Sequence, residues 1–146
     1  MSKAVMISIN PPHTDNIFSG AKTLEWRKKP LPIGKHYVYE TKKGGGEGKV
    51  IGEFDVFAIV WYAVGNYIDD EEIKAGCVSR EYVEKYRGNG KIAANWIRNV
   101  KKYDKPKELS DFCNGSSYLT IGEIGKFTYA GMTRPPQSWC YVEELK

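Results

Sequence analysis

From Val50 to Tyr62 the chain keeps a period of two. Val50, Gly52, Phe54, Val56, Ala58 and Val60 alternate with Ile51, Glu53, Asp55 and Phe57. Successive side chains of an extended backbone point to opposite faces, so this pattern predicts a long strand, bent at Gly52 or split near Ala58. A strand of that length commits the chain to a sheet.

Shorter extended runs supply neighbours for it. Val5, Ile7 and Ile9 alternate with Met6 and Ser8 until Pro11-Pro12 stops the pairing. Thr23 to Arg27 and His36 to Thr41 also read as extended, the second with Tyr37, Tyr39 and Thr41 on one face. Gly44-Gly45-Gly46-Glu47-Gly48 makes a hairpin into the long strand. Three short helices are expected: one capped by Thr14 and closed at Gly20, one from Asp69 to Gly76 with Glu72 completing a capping box, and one opened by Ser79 and ended by Gly88. In the last, Tyr82, Val83 and Tyr86 recur at helical spacing. Ile92 to Tyr103 is extended again, Asp104 to Pro106 turns, residues 107–112 allow one helical turn, and 117–122 a further strand. Strands at both ends with small helices between them predict an α+β fold, a small β-barrel decorated with short helices.

With 146 residues, 41% hydrophobic and 13% aromatic, the chain can bury one substantial core, so a single domain over 1–146 is expected. No run approaches the ~18 consecutive apolar residues of a membrane span, and the Met1-Ser2-Lys3 start leads directly into a strand too short for a signal peptide, so a cytoplasmic protein without a membrane partner is expected. Cys77, Cys113 and Cys140 have neither an even count nor Cys-x-x-Cys spacing, and read as reduced thiols. The net charge is only +4, but cations cluster at Arg27-Lys28-Lys29, Lys42-Lys43 and Lys101-Lys102 with Lys105 and Lys107. Such a chain binds nucleic acid only where its cations gather on one face.

The densest chemistry lies in Gly20-Ala21-Lys22-Thr23-Leu24-Glu25-Trp26-Arg27. Along a strand, Thr23, Glu25 and Arg27 share a face, with Lys22 at its entrance. Charges buried together either pair for structure or await a polar ligand. Two readings fit: an internal Glu25 and Arg27 ion pair with the tyrosines in the core, or a nucleotide pocket in which Lys22 and Arg27 meet phosphate, Glu25 orients them or accepts from a base, and Tyr39, Trp26 or Trp139 stack on a base. Thr41 and Lys42 on the neighbouring strand extend the pocket. The segment Arg134-Pro135-Pro136-Gln137-Ser138-Trp139 is held extended by its prolines; it presents Arg134, Gln137 and Trp139 or else packs back on the barrel as a C-terminal arm. The glycine loop reads as a mobile hairpin rather than a phosphate loop, because Lys49 is followed by a strand and by no Ser or Thr. His13 and His36 have no paired ligand pattern, so no metal site is expected, and no Gly-x-Ser-x-Gly elbow is present. No cofactor is expected either.

At these residues the chain resembles the ASCH domain of the PUA-like superfamily. The resemblance runs through Ile7-Ser8-Ile9-Asn10-Pro11, the Gly20-x-Lys22-x-x-Glu25-x-Arg27 signature, Tyr37-Val38-Tyr39-Glu40-Thr41, Val50-Ile51-Gly52-Glu53-Phe54, Lys101 to Pro106, and Arg134 to Trp139. It implies a barrel with a cleft lined by Lys22, Glu25 and Arg27, and RNA or a modified nucleoside or nucleotide as partner. Some relatives are linked to ribonuclease activity, which makes Lys22, Tyr39 and Ser138 acid-base candidates with Glu25 as a polar partner. A small group hydrolyses N4-acylated cytidine using a lysine, a threonine three residues later and a distant glutamate. Here Lys22 matches, but Glu25 stands where the threonine would, and Thr23 lies ~7 Å away along the strand. The expected function is therefore RNA or nucleotide binding. The alternatives are a hydrolase in the same cleft and a protein-interaction domain using Trp61, Tyr62 and Tyr67.

Overall fold

A computed structural model describes residues 3–114, 118–120, 127–129 and 131–146, the stretches 118–120 and 127–129 by their backbone alone. The strands are β1 Lys3–Ile9, β2 Leu24–Arg27, β3 Gly34–Glu40, β4 Lys49–Tyr62, β5 Ile92–Lys107, β6 Tyr118–Thr120, β7 Phe127–Tyr129 and β8 Trp139–Glu143. The helices are α1 His13–Phe18, α2 Asp70–Ala75 and α3 Arg80–Arg87. Six strands form a mixed sheet in the order β2-β5-β4-β3-β1-β8, and β6 pairs with β7 separately. The architecture is α+β, as expected.

The expected barrel is corrected. Among the described residues the strand order is linear, and β2 and β8 each have a hydrogen-bonded neighbour on one side. These end strands span four and five residues, and short edge strands are a common way of ending an open sheet.

Two compact units divide the chain. One comprises residues 1–11, 36–53 and 102–146, and the other 12–35 and 54–101. In the first, β1 lies parallel to β3 and antiparallel to β8, with Ser8 opposite Tyr39 and Ile7 opposite Trp139. Its core gathers Ala4, Met6, Tyr37, Tyr39, Val50, Phe112, Met132 and Val142. The Tyr37 and Phe112 rings meet at 4.8 Å, and the buried Tyr37 hydroxyl accepts from the Leu145 amide at 2.9 Å, so its polar end is not orphaned. The second unit pairs β2 antiparallel with β5, Glu25 opposite Asn95, over a core of Leu24, Trp26, Ile68, Val83, Ile92 and Ala94.

Several local expectations meet physical corrections. β4 is one continuous strand from Lys49 to Tyr62, so the split expected near Ala58 does not occur. Thr14 is not a cap but is buried within α1, whose cap position is Pro12 with no side-chain hydrogen bond. Asp69 does cap α2, accepting from the Glu71 amide at 3.3 Å. Glu72, expected to complete a capping box, instead turns inward, where its carboxylate accepts from the Tyr62 hydroxyl and from Trp96 Nε1 at 2.9 Å. Ser79 caps α3, accepting from the Tyr82 amide at 3.0 Å. The turn expected at Asp104 to Pro106 is absent, since β5 runs on to Lys107, and a 3₁₀ turn comes next at Leu109–Asp111. Of the strand expected over 117–122, β6 covers Tyr118–Thr120, and residues 117, 121 and 122 lie outside the described residues.

The glycine loop is built, not loose. Glu40 Oε1 accepts from the Glu47 amide at 2.9 Å, and the Gly48 amide donates to the Glu40 carbonyl at 3.0 Å. A Cβ at Gly46 would fall 1.8 Å from the Thr41 carbonyl oxygen, so only glycine closes this corner. Among the described residues no helix is long and apolar enough to cross a membrane.

Candidate functional site

The corner between α1 and β2 assembles the charged residues. The Lys22 amide donates to the Asn16 carbonyl at 2.8 Å, and the Thr23 amide to the Ala75 carbonyl at 3.0 Å, which carries the chain from α1 past the end of α2 into β2. Buried Asn95 on β5 then anchors the strand and the loop beyond it. Its amide nitrogen donates to the Glu25 carbonyl at 3.0 Å, and its Oδ1 accepts from the Leu31 amide at 2.9 Å. One side chain thus ties β2 to the returning loop and sets the path of Arg27-Lys28-Lys29 between them.

Glu25 is the hub. Its Oε2 accepts from Arg27 Nε at 3.1 Å and from Arg27 Nη2 at 2.9 Å, so two guanidinium N–H groups converge on one carboxylate oxygen in charge-assisted hydrogen bonds. Its Oε1 lies 3.4 Å from Lys22 Nζ, and that ammonium also donates to the Gly76 carbonyl at 2.7 Å. Lys22 is 2% exposed and Glu25 7%. Burial pushes the Glu25 carboxyl up, but the Arg27 and Lys22 charges and the Arg27 hydrogen bond outweigh it, so the group sits below its ordinary value and is ionised. The face shared by Glu25 and Arg27 follows from strand alternation, as expected. Lys22, expected to meet phosphate, has its ammonium directed inside the fold, toward Glu25 and the Gly76 carbonyl.

His13, set aside on sequence, belongs to this neighbourhood. Burial, then the Lys22 charge, lowers its pKa, with Glu25 raising it and Arg27 lowering it. The imidazole is therefore held toward its neutral form beside the ion pairs. Its ring meets that of Tyr82, from the first turn of α3, at 6.3 Å and 55°. Tyr82 is 50% exposed. One turn along α3, Tyr86 carries the Lys28 ammonium 5.3 Å from its ring centroid. No short motif announces His13 or Tyr82; the only signal was the amphipathic spacing of α3, which leaves Tyr82 on the rim of its apolar face.

Apart from Trp26, the remaining candidates belong to the other compact unit. Tyr39 is 7% exposed within the apolar core, so its ring face is not offered for stacking. Thr41 Oγ1 donates to Asn10 Oδ1 at 2.5 Å. The carbon chain of Lys42 lies against Gly48, where a Cβ would fall 2.6 Å from Lys42 Cε. The diproline arm packs back on the sheet: Ser8 Oγ donates to the Pro136 carbonyl at 2.7 Å and the Ser8 amide to the Ser138 carbonyl at 3.0 Å. Ser8 also faces Tyr39 in register, so Tyr39 and Ser138 flank β1 about 10 Å apart, two strand spacings. Arg134 and Gln137 remain exposed, while Trp139 is half-buried, edge-on to Tyr141 at 5.2 Å. Trp26, the other stacking candidate, is buried against Gly76.

Two further features lie in the second unit. A cleft of about 340 Å³ opens beside Asn66, Tyr67 and Asn89, but the Arg87 guanidinium at its wall is committed to the carbonyls of Ala63, Asn66 and Gly90 and to Glu84. Of the aromatic patch expected at 61–67, Trp61 and Tyr67 are exposed, whereas Tyr62 is held by Glu72.

No family model matches this chain, and no curated protein matches it. Among solved structures it is similar to the ASCH protein of Zymomonas mobilis, with a TM-score of 0.71 at 24% identity, covering 97% of this chain and 88% of that one. Two variants of the Zymomonas protein superpose comparably. A tyrosine-to-phenylalanine variant gives 0.66 at 22% identity over 98% and 92% of the two chains. A serine-to-alanine variant gives 0.65 at 22% over 97% and 89%. The chain is thus an α+β protein built on a mixed six-stranded sheet, and its fold is the ASCH fold.

Proposed function

We propose that this chain binds RNA or a nucleotide-like ligand at the strip around β2. The observation that carries this reading is the Glu25 hub. Residues 22–29 hold four cations against one carboxylate, and Glu25 fixes the Arg27 guanidinium in a planar orientation while Lys28 and Lys29 stand exposed beside it. A preset guanidinium with flanking ammonium groups suits phosphate oxygens, since less side-chain freedom remains to be lost on binding. Lys22 acts as support, holding the hub from beneath. The likeness of the fold to ASCH proteins supports the same reading.

Filter retention of end-labelled single-stranded RNA across a salt series tests this reading. Retention by the parent protein should fall steeply as salt rises, and an Arg27→Gln, Lys28→Ala, Lys29→Ala variant should bind weakly with a flatter dependence, because each lost phosphate contact removes about one unit of the salt slope. Equal retention of a random RNA pool by parent and variant, or none by the parent, overturns it.

A second reading, an enzyme acting on RNA or an acylated cytidine at the same strip, is favoured by His13. A neutral imidazole beside a buried ion-paired cluster is a proton acceptor, which an RNA 2′-hydroxyl or an attacking water requires. Tyr39 and Ser138, the other acid-base candidates, belong to the other compact unit and are not part of this strip. RNA fragments or deacylated cytidine that vanish with His13→Asn would establish turnover here; unchanged substrates with the parent protein would remove it.

A further inference from the structure

We propose that Tyr82, backed by His13, is the base-stacking element of this strip and accepts one unpaired nucleobase of a single-stranded RNA whose phosphates meet Arg27 and Lys28. The inference rests on the RNA reading above and assigns the aromatic role that Tyr39 and Trp26 do not fill. Both of those rings are buried, whereas Tyr82 exposes half of its surface. Exposure alone is common for a tyrosine, but three independent placements set this one apart.

First, its ring is braced. His13 meets it at 6.3 Å and 55°, a tilted aromatic contact, while half of the Tyr82 surface stays exposed. The Tyr82 amide is itself held by the Ser79 cap. Second, it neighbours the charged strip through His13, whose imidazole feels the charges of Lys22, Glu25 and Arg27. Third, α3 lines Tyr82 up with Tyr86 at a spacing of four residues, and Lys28 lies over Tyr86 at 5.3 Å. An ammonium therefore stands about one helical turn from an open aromatic face. Unpaired bases stack on such faces with little regard to identity, while cations alongside follow the phosphates. The acids of α3 do not cancel this charge, since Glu84 is paired with Arg87 and Glu81 is followed by Lys85 one turn on.

The test compares a single-stranded RNA oligomer with a fully abasic ribose-phosphate strand of equal length and charge. The parent protein should bind the base-bearing strand more tightly. Tyr82→Ala should weaken that binding about 5- to 100-fold and leave the abasic strand unaffected, while Tyr82→Phe keeps parental behaviour. Because Tyr82 is half exposed, its truncation leaves the core intact, and circular dichroism confirms the fold. If RNA is retained in a salt-dependent way and lost with the Arg27, Lys28, Lys29 variant, yet Tyr82→Ala binds it like the parent, the stacking role is overturned while RNA binding stands. If the parent retains neither strand, both inferences fall.

Discussion

Arg27 embraces Glu25 from two positions along the same strand, its Nε and Nη2 donating to a single carboxylate oxygen at 3.1 and 2.9 Å. Residues spaced by two on a strand share a face. The opposite oxygen faces buried Lys22 at 3.4 Å, so one carboxylate serves two cations from different backbone segments. Removing that carboxylate leaves the Lys22 ammonium in the interior with, among the described residues, the Gly76 carbonyl as its partner. Breaking a buried pair from one side costs about 3–5 kcal/mol. Glu25→Ala should lose stability on that scale in urea denaturation, and a Lys22→Met, Glu25→Leu double variant should recover part of it. A Glu25→Ala protein as stable as the parent would show that Lys22 finds other partners.

The same hub predicts an acid limit. The folded Glu25 carboxyl lies below its ordinary value of 4.5, so the folded state holds fewer protons than the unfolded chain in the window beneath that value. Its contribution is fully present above pH 4.5 and is lost as pH falls through the folded pKa. Denaturation midpoints measured downward from neutrality should fall in this window more steeply for the parent than for the Lys22→Met, Glu25→Leu variant. Parallel curves would exclude Glu25 as a source of acid sensitivity.

The charged half of the site was legible in the sequence because alternation alone puts Glu25 beside Arg27. The aromatic half was not. Tyr39 and Tyr82 both sit in amphipathic segments, and which one faces solvent depends on what covers the segment: Phe112, Met132 and Val142 share the core with Tyr39, whereas Tyr82 is 50% exposed. Glu72 was misread for a related reason. An acid three residues after Asp69 matches a capping box, and only the tertiary arrival of Tyr62 and Trp96 turns it inward. The interruption expected at Asp104-Lys105-Pro106 did not occur because Pro106 lies next to the last residue of β5, where a missing amide costs least.

Gly76 joins the site to the second core. Its carbonyl accepts from Lys22, and a Cβ there would fall 2.4 Å from Trp26 Nε1 and 2.8 Å from Trp26 Cδ1. Its φ of −83° suits any residue, so the constraint is space, not backbone conformation. Gly76→Ala should cost about 1–3 kcal/mol as the indole is pushed aside. The shift should appear in tryptophan fluorescence together with the fall in the denaturation midpoint. An unshifted emission with full stability would mean the α2 terminus gives way freely.

His13 offers a local reading of the cluster. Its ordinary pKa of 6.5 is lowered by burial and by the Lys22 and Arg27 charges, against the pull of Glu25. Followed by proton NMR, with His13→Asn assigning it against His36, it should titrate below 6.5. Arg27→Gln removes one of the opposing charges, so the midpoint should rise, whereas loss of the Glu25 charge should lower it. A midpoint indifferent to Arg27→Gln would detach His13 from the cluster and with it the enzymatic reading.

Tyr62 sets an alkaline counterpart. Burial, followed by the hydrogen bond it donates to Glu72, pushes its hydroxyl from 10.0 up to about 12. A phenolate beside the Glu72 carboxylate is disfavoured, so the folded state keeps the proton after the unfolded chain has released it. The resulting stability is present below pH 10 and is lost as pH rises toward about 12. In an ultraviolet titration of the folded protein, the difference between parent and Tyr62→Phe should be a single phenolate step near 12, not near 10. Trp96 still donates to Glu72 in that variant, so the carboxylate keeps one partner and the fold should persist for the comparison. A difference step at the ordinary tyrosine value would mean that the Tyr62 hydroxyl is not committed to Glu72 in solution.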